Sequence, residues 1–368
     1  MSSSVTNEPP RELNGPTTSS PSLFNTLPIE LINTITARVS RRYYPILSCV
    51  SKHFRTTLLS PEIHKIRSLL NKDSLFISFL DETKTFLLQT RNWFTLRTIK
   101  KQNHFVSVSI PFDYISQPNP SIIAIGPEIF FICGSYIPSS RLWIFDTRTH
   151  MFRQGPDMLV NRSNKSVGYV NGKVYVIGGD RDYEVLAESF DVKTQTWEQA
   201  HDPEGEEEYI PWISSVTVSL DKKVYALIAC DDIAIHYDTR DGSCGSLKLV
   251  RDRWWRSGAC VMDNVLYVYY QRFGLMWYDF EMMLWRVVFG LDVVKKVGCV
   301  GMAKYYGKLA FLWEEDGDGA SSETKEIWCR IIDLVRCEEG IHGIAEPSRV
   351  LGSVPRGYRM HQCLSVSD

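Results

Sequence analysis

The chain has 368 residues, of which 44% are hydrophobic and 23% charged, and a formal net charge of -2. This is the composition of a soluble globular protein, and neither the overall balance nor any local Lys/Arg block supplies the basic footprint of a nucleic-acid binder. No apolar run approaches the roughly 18 residues of a membrane span, and the nine scattered cysteines contain no CxxC pair and no zinc-ligand spacing with a histidine.

The first 21 residues contain twelve Ser, Thr or Pro and almost nothing that could pack, so a solvated tail is expected over 1–21. They lack the charged and apolar regions of a signal peptide. The expected setting is therefore intracellular, cytoplasmic or nuclear, and reducing, with the cysteines acting mainly as small buried hydrophobes.

Residues 22–72 read as a helical module of three short helices. Leu31, Ile32, Ile35 and Val39 make one apolar face. Pro28 suits the first turn and Glu30 the positive helix start. Ile46, Leu47, Val50 and Phe54 repeat the spacing in a second helix. Ser60-Pro61-Glu62 is a start signal for a third, carrying Ile63, Ile66, Leu69 and Leu70. A module of about 50 residues buries only a small core and needs help from a partner or a neighbouring domain.

From residue 73 the pattern changes to short β-type runs. Phe145-Asp146, Phe190-Asp191, Tyr237-Asp238, Tyr278-Asp279 and Ile332-Asp333 recur at intervals of 45, 47, 41 and 54 residues. Six positions after each Asp stand Phe152, Trp197, Cys244, Trp285 and Glu339. Upstream of each pair a turn precedes a hydrophobic strand: Gly126-Pro127, Asn171-Gly172, Asp221-Lys222, Asp263-Asn264 and Tyr306-Gly307. Such a period, with about four strands per unit, is the signature of a β-propeller. The repeats fall at 122–156, 160–203, 211–255, 256–290 and 297–350. Residues 75–80, 86–88 and 93–99 look like three strands of a blade that lacks one, and the end of the chain supplies a lone alternating strand. Pairing 73–100 with 358–368 closes a ring of six blades and removes its open edges.

These residues resemble the plant F-box/kelch-repeat family. The resemblance rests on Leu27-Pro28, on 37–45, on Leu47-Ser48, Val50-Ser51-Lys52 and Phe54-Arg55, and on 58–62. In the second repeat it rests on Asn171 through Gly179, followed by Phe190-Asp191 and Trp197. The double glycine of the kelch motif stands only at Gly178-Gly179; Cys133-Gly134, Ala229-Cys230, Tyr269-Tyr270 and Trp313-Glu314 replace it elsewhere. Lost glycines predict altered turns on the same fold.

The resemblance implies a substrate-recognition subunit of a Skp–cullin–F-box ubiquitin ligase, non-catalytic and without a cofactor. Its F-box would bind a Skp-type adaptor, and through it a cullin-RING ligase, while the propeller would hold an unknown target protein. Carried over by position, the adaptor contacts are Leu27, Pro28, Leu31, Ile32, Ile35, Leu47, Val50 and Ser51. Two other readings stand beside it: a kelch scaffold without ligase activity, and a kelch-fold oxidase, which would need clustered Tyr, His and Cys ligands.

Four further residues, Arg251, Arg253, Trp254 and Trp255, have the composition of a binding hot spot and are the candidate substrate contacts. The competing reading, which we prefer, has the tryptophans packing between blades and the arginines lying over them. Recurrence also favours packing for Trp197 and Trp285, and a turn-binding role for the repeated Asp. Gly178-Gly179 is followed by more strand and not by the helix a phosphate loop requires. The acidic stretch 314–319 lacks a calcium loop's ligand pattern, since Ala320 and Ile327 stand where oxygen ligands belong.

Overall fold

The computed structural model describes residues 27–39, 43–70, 73–84, 90–99, 102–117, 119–135, 137–179, 185–203, 216–228, 232–291, 299–316 and 323–367. The chain divides into two compact units, Met1–Ile66 and Arg67–Asp368.

Among the described residues the N-terminal region forms α1 (Ile29–Arg38), α2 (Tyr44–Val50), α3 (Lys52–Leu58) and α4 (Pro61–Leu69). Pro28 stands just outside α1, where its missing N–H is not needed, and its carbonyl accepts the amides of Leu31 and Ile32 at 3.0 and 3.1 Å. The spacing of Ile46, Leu47, Val50 and Phe54 predicts one helix, but the chain makes two. Ser51 is extended (φ -160°, ψ 159°) and its Oγ accepts the Phe54 amide at 3.1 Å, so it ends α2 and caps α3. The helical period is broken there, and Phe54 belongs to a different helix from Val50. The start of α4 at Pro61 follows the sequence signal, although the buried Ser60 hydroxyl has no hydrogen-bond partner.

The remainder is a six-bladed propeller. Blade 1 contains β1 (Asp73–Asp81), β2 (Arg91–Ile99) and β3 (Gln102–Val108), with β25 (Tyr358–Ser367) as its fourth strand. Blade 2 contains β4 (Ser121–Ile125), β5 (Glu128–Ile132), β6 (Leu142–Asp146) and β7 (Met151–Gln154). Blade 3 follows with β8 (Ser166–Val170), β9 (Lys173–Ile177), β10 (Ala187–Asp191) and β11 (Thr196–Gln199). Blade 4 has β12 (Val216–Leu220), β13 (Lys223–Ile228), β14 (Ile233–Asp238) and β15 (Cys244–Lys248). Blade 5 has β16 (Trp254–Met262), β17 (Val265–Tyr270), β18 (Gly274–Asp279) and β19 (Leu284–Val287). Blade 6 has β20 (Val300–Tyr305), β21 (Lys308–Asp316), β22 (Thr324–Cys337) and β23 (Gly340–Ala345), with β24 (Arg349–Pro355) pairing β22 as a fifth strand.

The ring closes where β1 and β25 pair antiparallel from Asp73↔Ser367 to Asp81↔Tyr358. In blade 1 the run 93–99 belongs to the strand next to β1, and Gln102–Val108 supplies the outer strand. The predicted strand at 86–88 lies outside the described residues.

Each turn signal becomes a two-residue hairpin between the first two strands of its blade. Asn171-Gly172, Asp221-Lys222, Asp263-Asn264 and Tyr306-Gly307 all have positive φ at both positions, the geometry that matches strand twist. The repeated Asp closes the next turn. Asp146 Oδ1 accepts the Arg148 amide at 2.8 Å, Asp191 Oδ1 those of Lys193 and Thr194 at 2.8 and 2.9 Å, and Asp279 Oδ1 those of Glu281 and Met282 at 3.1 Å. Asp333 departs, because β22 runs straight through it to Cys337.

Alternation of side chains along each strand sends successive residues to opposite faces of the blade. Six apolar clusters result, each wedged between two adjacent blades. The aromatic six positions after the Asp faces that Asp's neighbour across the sheet: Phe145↔Phe152, Phe190↔Trp197 and Tyr278↔Trp285. Trp197 Nε1 donates to Pro156 O and Trp285 Nε1 to Lys248 O, each at 2.9 Å, which ties each tryptophan to the preceding blade. Repeat packing accounts for both.

Candidate functional site

Two surfaces stand out, one on each unit. In the helical module α1 presents apolar side chains on two sides. Ile32 and Ala37 are buried together with Asn33 and Thr36, whereas Leu31 is 50% exposed and Ile29 and Ile35 are also exposed. On α2, Val50 and Ile46 are each 64% exposed and Leu47 is half-buried. Leu31 and Ile35 lie one turn apart and form an outward ridge. Of the residues carried over by position, Leu31, Ile35 and Val50 are exposed with Pro28, while Leu27, Leu47 and Ser51 are half-buried. Ile32 is 2% exposed, so its side chain serves the interior. The Ser51 hydroxyl is engaged in capping α3.

The second surface is the central cavity of the propeller, about 770 Å³ in volume and lined mainly by β25, β4, β8, β12, β16 and β20, with Leu80 of β1 and Arg91 of β2. Trp254 and Trp255 open β16 and line this cavity. Trp254 is 8% exposed and belongs to the cluster between blades 4 and 5, while Trp255 packs against the clusters on both sides of blade 6. Arg253 lies over the Trp255 ring with its guanidinium carbon 4.5 Å from the centroid. Arg251 is 95% exposed and stands 3.8 Å from Asp232. Thus the tryptophans pack between blades as expected, and they also reach the channel.

Around the same mouth stand residues that sequence reasoning did not select: Arg91, Lys165, Arg256, Arg359 and His361. Burial lowers the Arg91 pKa to about 10 and that of Lys165 to about 7. The Lys165 ammonium donates to the Gly134 carbonyl. Burial, helped by the charges of Arg91, Arg256 and Arg359, holds His361 well below the usual histidine range. Arg256 directly follows the Trp254-Trp255 pair. The others come from blade closure and distant linkers, and no local spacing marks them.

Beside the mouth, Arg162 fixes blade 2 to blade 3. Its backbone pairs with Ser139. Its side chain, fully buried, reaches Glu188 at 2.5 Å and the carbonyls of Gly178 and Val185 at 2.7 Å. Gly179 explains its own identity: at φ +78° a Cβ would stand 2.1 Å from the Ser163 carbonyl oxygen. Where the glycines are lost, as at Trp313-Glu314, β21 extends to Asp316 and pairs on with β22.

Burial pushes the thiols of Cys133, Cys260, Cys299 and Cys329 up to about 12, far from a reactive thiolate. Among the described residues no group of three or more His, Cys, Asp or Glu side chains converges to hold a metal, and no helix is long and apolar enough to cross a membrane.

Comparison with known proteins agrees with this architecture. An F-box domain model matches residues 24–66 and the FKB95 kelch-repeats domain matches residues 93–351. The chain belongs to the F-box/kelch-repeat family. Among its relatives, F-box/kelch-repeat protein At2g44700 of Arabidopsis thaliana is 54% identical over 100% of both chains. F-box/kelch-repeat protein At2g44630 of Arabidopsis thaliana is 50% identical over 98% of each. A solved structure described as that of YjhT aligns with 70% of this chain and 91% of its own, at 11% identity and a TM-score of 0.45. In this F-box/kelch-repeat protein, the exposed apolar side chains of α1 and α2 therefore lie within the F-box, and Trp254, Trp255 and Arg256 of the cavity within the kelch repeats.

Proposed function

We propose that this F-box/kelch-repeat protein is the target-recognition subunit of a Skp–cullin–F-box ubiquitin ligase, non-catalytic in itself. In this reading the F-box docks a Skp-type adaptor and the propeller holds the protein to be modified. The observation that carries it is the outward set Leu31, Ile35, Ile46 and Val50 on a module with a very small interior. Burying a Leu, Ile or Val side chain is worth about 1.5–3 kcal/mol, so these four represent several kcal/mol that a partner would recover. Large apolar side chains held out in solvent in this way are a mark of interaction sites.

The test is binding of the purified full-length protein to a Skp-type adaptor, wild type against Leu31→Asp/Val50→Asp. Both side chains face solvent, so melting and circular dichroism are expected to stay unchanged while affinity falls more than about tenfold, which is more than about 1.4 kcal/mol. A wild type that fails to bind the adaptor overturns the ligase reading and leaves a scaffold.

A further inference from the structure

Between blades 5 and 6 lies a second cavity, about 260 Å³ in volume, that shares no lining residue with the central one. Its floor is apolar and fixed. Tyr269 and Phe311, each 3% exposed, meet edge to face with ring centroids 5.1 Å apart, and Leu275 and Ile332 are buried beside them. One wall is the connection leaving β19, and it is pinned to β23 like a further strand. Phe289 N donates to Ile341 O at 3.0 Å, and Gly343 N donates to Phe289 O at 2.8 Å. Gly290 permits that approach: at φ +75° a Cβ would stand 2.3 Å from His342 Nε2. The pinned wall keeps Phe289 46% exposed, and the β17–β18 turn keeps Phe273 44% exposed, both among the residues that line the cavity. Aromatic side chains held in solvent by a rigid backbone are the composition of a recognition surface.

One charged side chain completes the lining. Along β22, Ile327, Cys329 and Ile331 pack toward blade 1, so Trp328, Arg330 and Ile332 face blade 5 and the cavity. Arg330 Nε donates to Ser348 Oγ at 2.9 Å. Its two Nη nitrogens have no partner among the described residues and, unlike the nitrogens of Arg91, are not shut away from solvent. A second guanidinium, that of Arg272, lies 5.8 Å from the Phe273 ring centroid. The acid of this neighbourhood is Asp252, whose charge reaches Tyr269 and whose Oδ2 already accepts the Arg272 amide at 2.6 Å. An apolar cavity with an accessible, uncommitted arginine in its wall suits an apolar group that carries a carboxylate close by.

We propose that this cavity is an anchor site for a segment of the target protein, taking a phenylalanine side chain whose neighbouring residue is acidic. The floor receives the ring, Phe273 and Phe289 flank the segment, and Arg330 meets the carboxylate. Size and surroundings select a segment of chain over a compact ligand. At about 260 Å³ the cavity falls short of the roughly 300–1,000 Å³ of small-molecule sites, and two exposed phenylalanines stand at it where a longer chain would cover them. The proposal rests on the propeller being the target-binding part, but the contact itself needs no adaptor and is measured without one.

The experiment titrates full-length protein with end-capped peptides Gly-Ser-X-Z-Ser-Gly, in which X-Z is Phe-Glu, Phe-Gln or Ala-Glu, and with 3-phenylpropionate, read by ligand-observed NMR. The Phe-Glu peptide is expected to bind about fivefold or more tighter than either of the other two peptides, since each lacks one of the two contacts. Arg330→Gln is expected to abolish the preference for Phe-Glu over Phe-Gln while leaving Phe-Gln binding unchanged, a split that a merely structural role would not produce. Phe273→Ser/Phe289→Ser, both at exposed positions, is expected to weaken both phenylalanine peptides with the melting temperature unchanged. Equal binding of Phe-Gln or of Ala-Glu, no binding of Phe-Glu, or indifference to the Phe273/Phe289 pair overturns the proposal. So does a preference for Phe-Glu that survives Arg330→Gln. Binding of 3-phenylpropionate as tight as that of Phe-Glu overturns the assignment to a protein segment. Failure of the peptides with adaptor binding intact fells this proposal alone; the reverse fells the ligase reading alone.

Discussion

The F-box and the propeller are built on opposite plans. The F-box is held by local contacts, such as the Ser51 cap three residues from Phe54, and leaves apolar side chains outside. The propeller is held by contacts between distant residues, down to β1 against β25. It buries its apolar side chains between blades and lines its central cavity with cationic side chains such as Arg91, Arg256 and Arg359. The contrast teaches that the two surfaces offer different kinds of bond: one dispersive and shape-driven, the other directional and charged.

The largest test of that contrast removes a long-range contact. Arg162→Met leaves Glu188 buried and unpaired, and is expected to cost the propeller about 3–5 kcal/mol. Thermal or urea unfolding followed by tryptophan fluorescence measures it. A cost under about 1 kcal/mol would mean that the join between blades 2 and 3 does not depend on this ion pair.

A smaller effect is expected when a local contact is removed. Ser51→Ala should cost about 1 kcal/mol in the F-box by uncapping α3. Far-UV circular dichroism should show the helical signal melting earlier while the propeller's transition stays put. If both transitions move together, the two units are not independent in stability.

The third test is conditional on pH and concerns the mouth, where no effect is expected at neutral pH. His361 has its pKa depressed below 6.5 in the folded chain, so below pH 6.5 the unfolded chain binds the extra proton and the folded one does not. This group therefore costs stability as pH falls through 6.5, by at most about 1.4 kcal/mol per pH unit. His361→Gln is expected to flatten the loss between pH 7 and 5.5, a window above the ordinary carboxylate pKa values. An unchanged pH profile would place the acid sensitivity elsewhere.

The same contrast decides what could be read from the sequence. Short-range chemistry was legible: the turn pairs, the Asp that closes the outer turn in blades 2 to 5, and the aromatic opposite it in blades 2, 3 and 5 all act within a few residues of one another. Ring closure was legible as well, because a missing strand at one end matched a spare one at the other. The split at Ser51 was not, since apolar spacing runs unbroken through it and only the hydroxyl's bond to Phe54 reveals the cap. The rim was least legible. Arg91 opens a strand of blade 1, Arg256 lies 105 residues from His361, and nothing in either neighbourhood says that they meet. Trp254 and Trp255 were noticed for their composition, yet their dual position between blades and at the cavity follows only from assembly.

The pairing of β1 with β25 also sets an order of events during synthesis. A strand that begins at Asp73 waits for one that ends at Ser367, so the sheet of blade 1 stays open until about 290 further residues have been made. The F-box helices, made before the propeller, do not depend on that pairing. A nascent chain thus carries its F-box before it has a closed propeller, and its open sheet edge stands exposed to other strands throughout that interval.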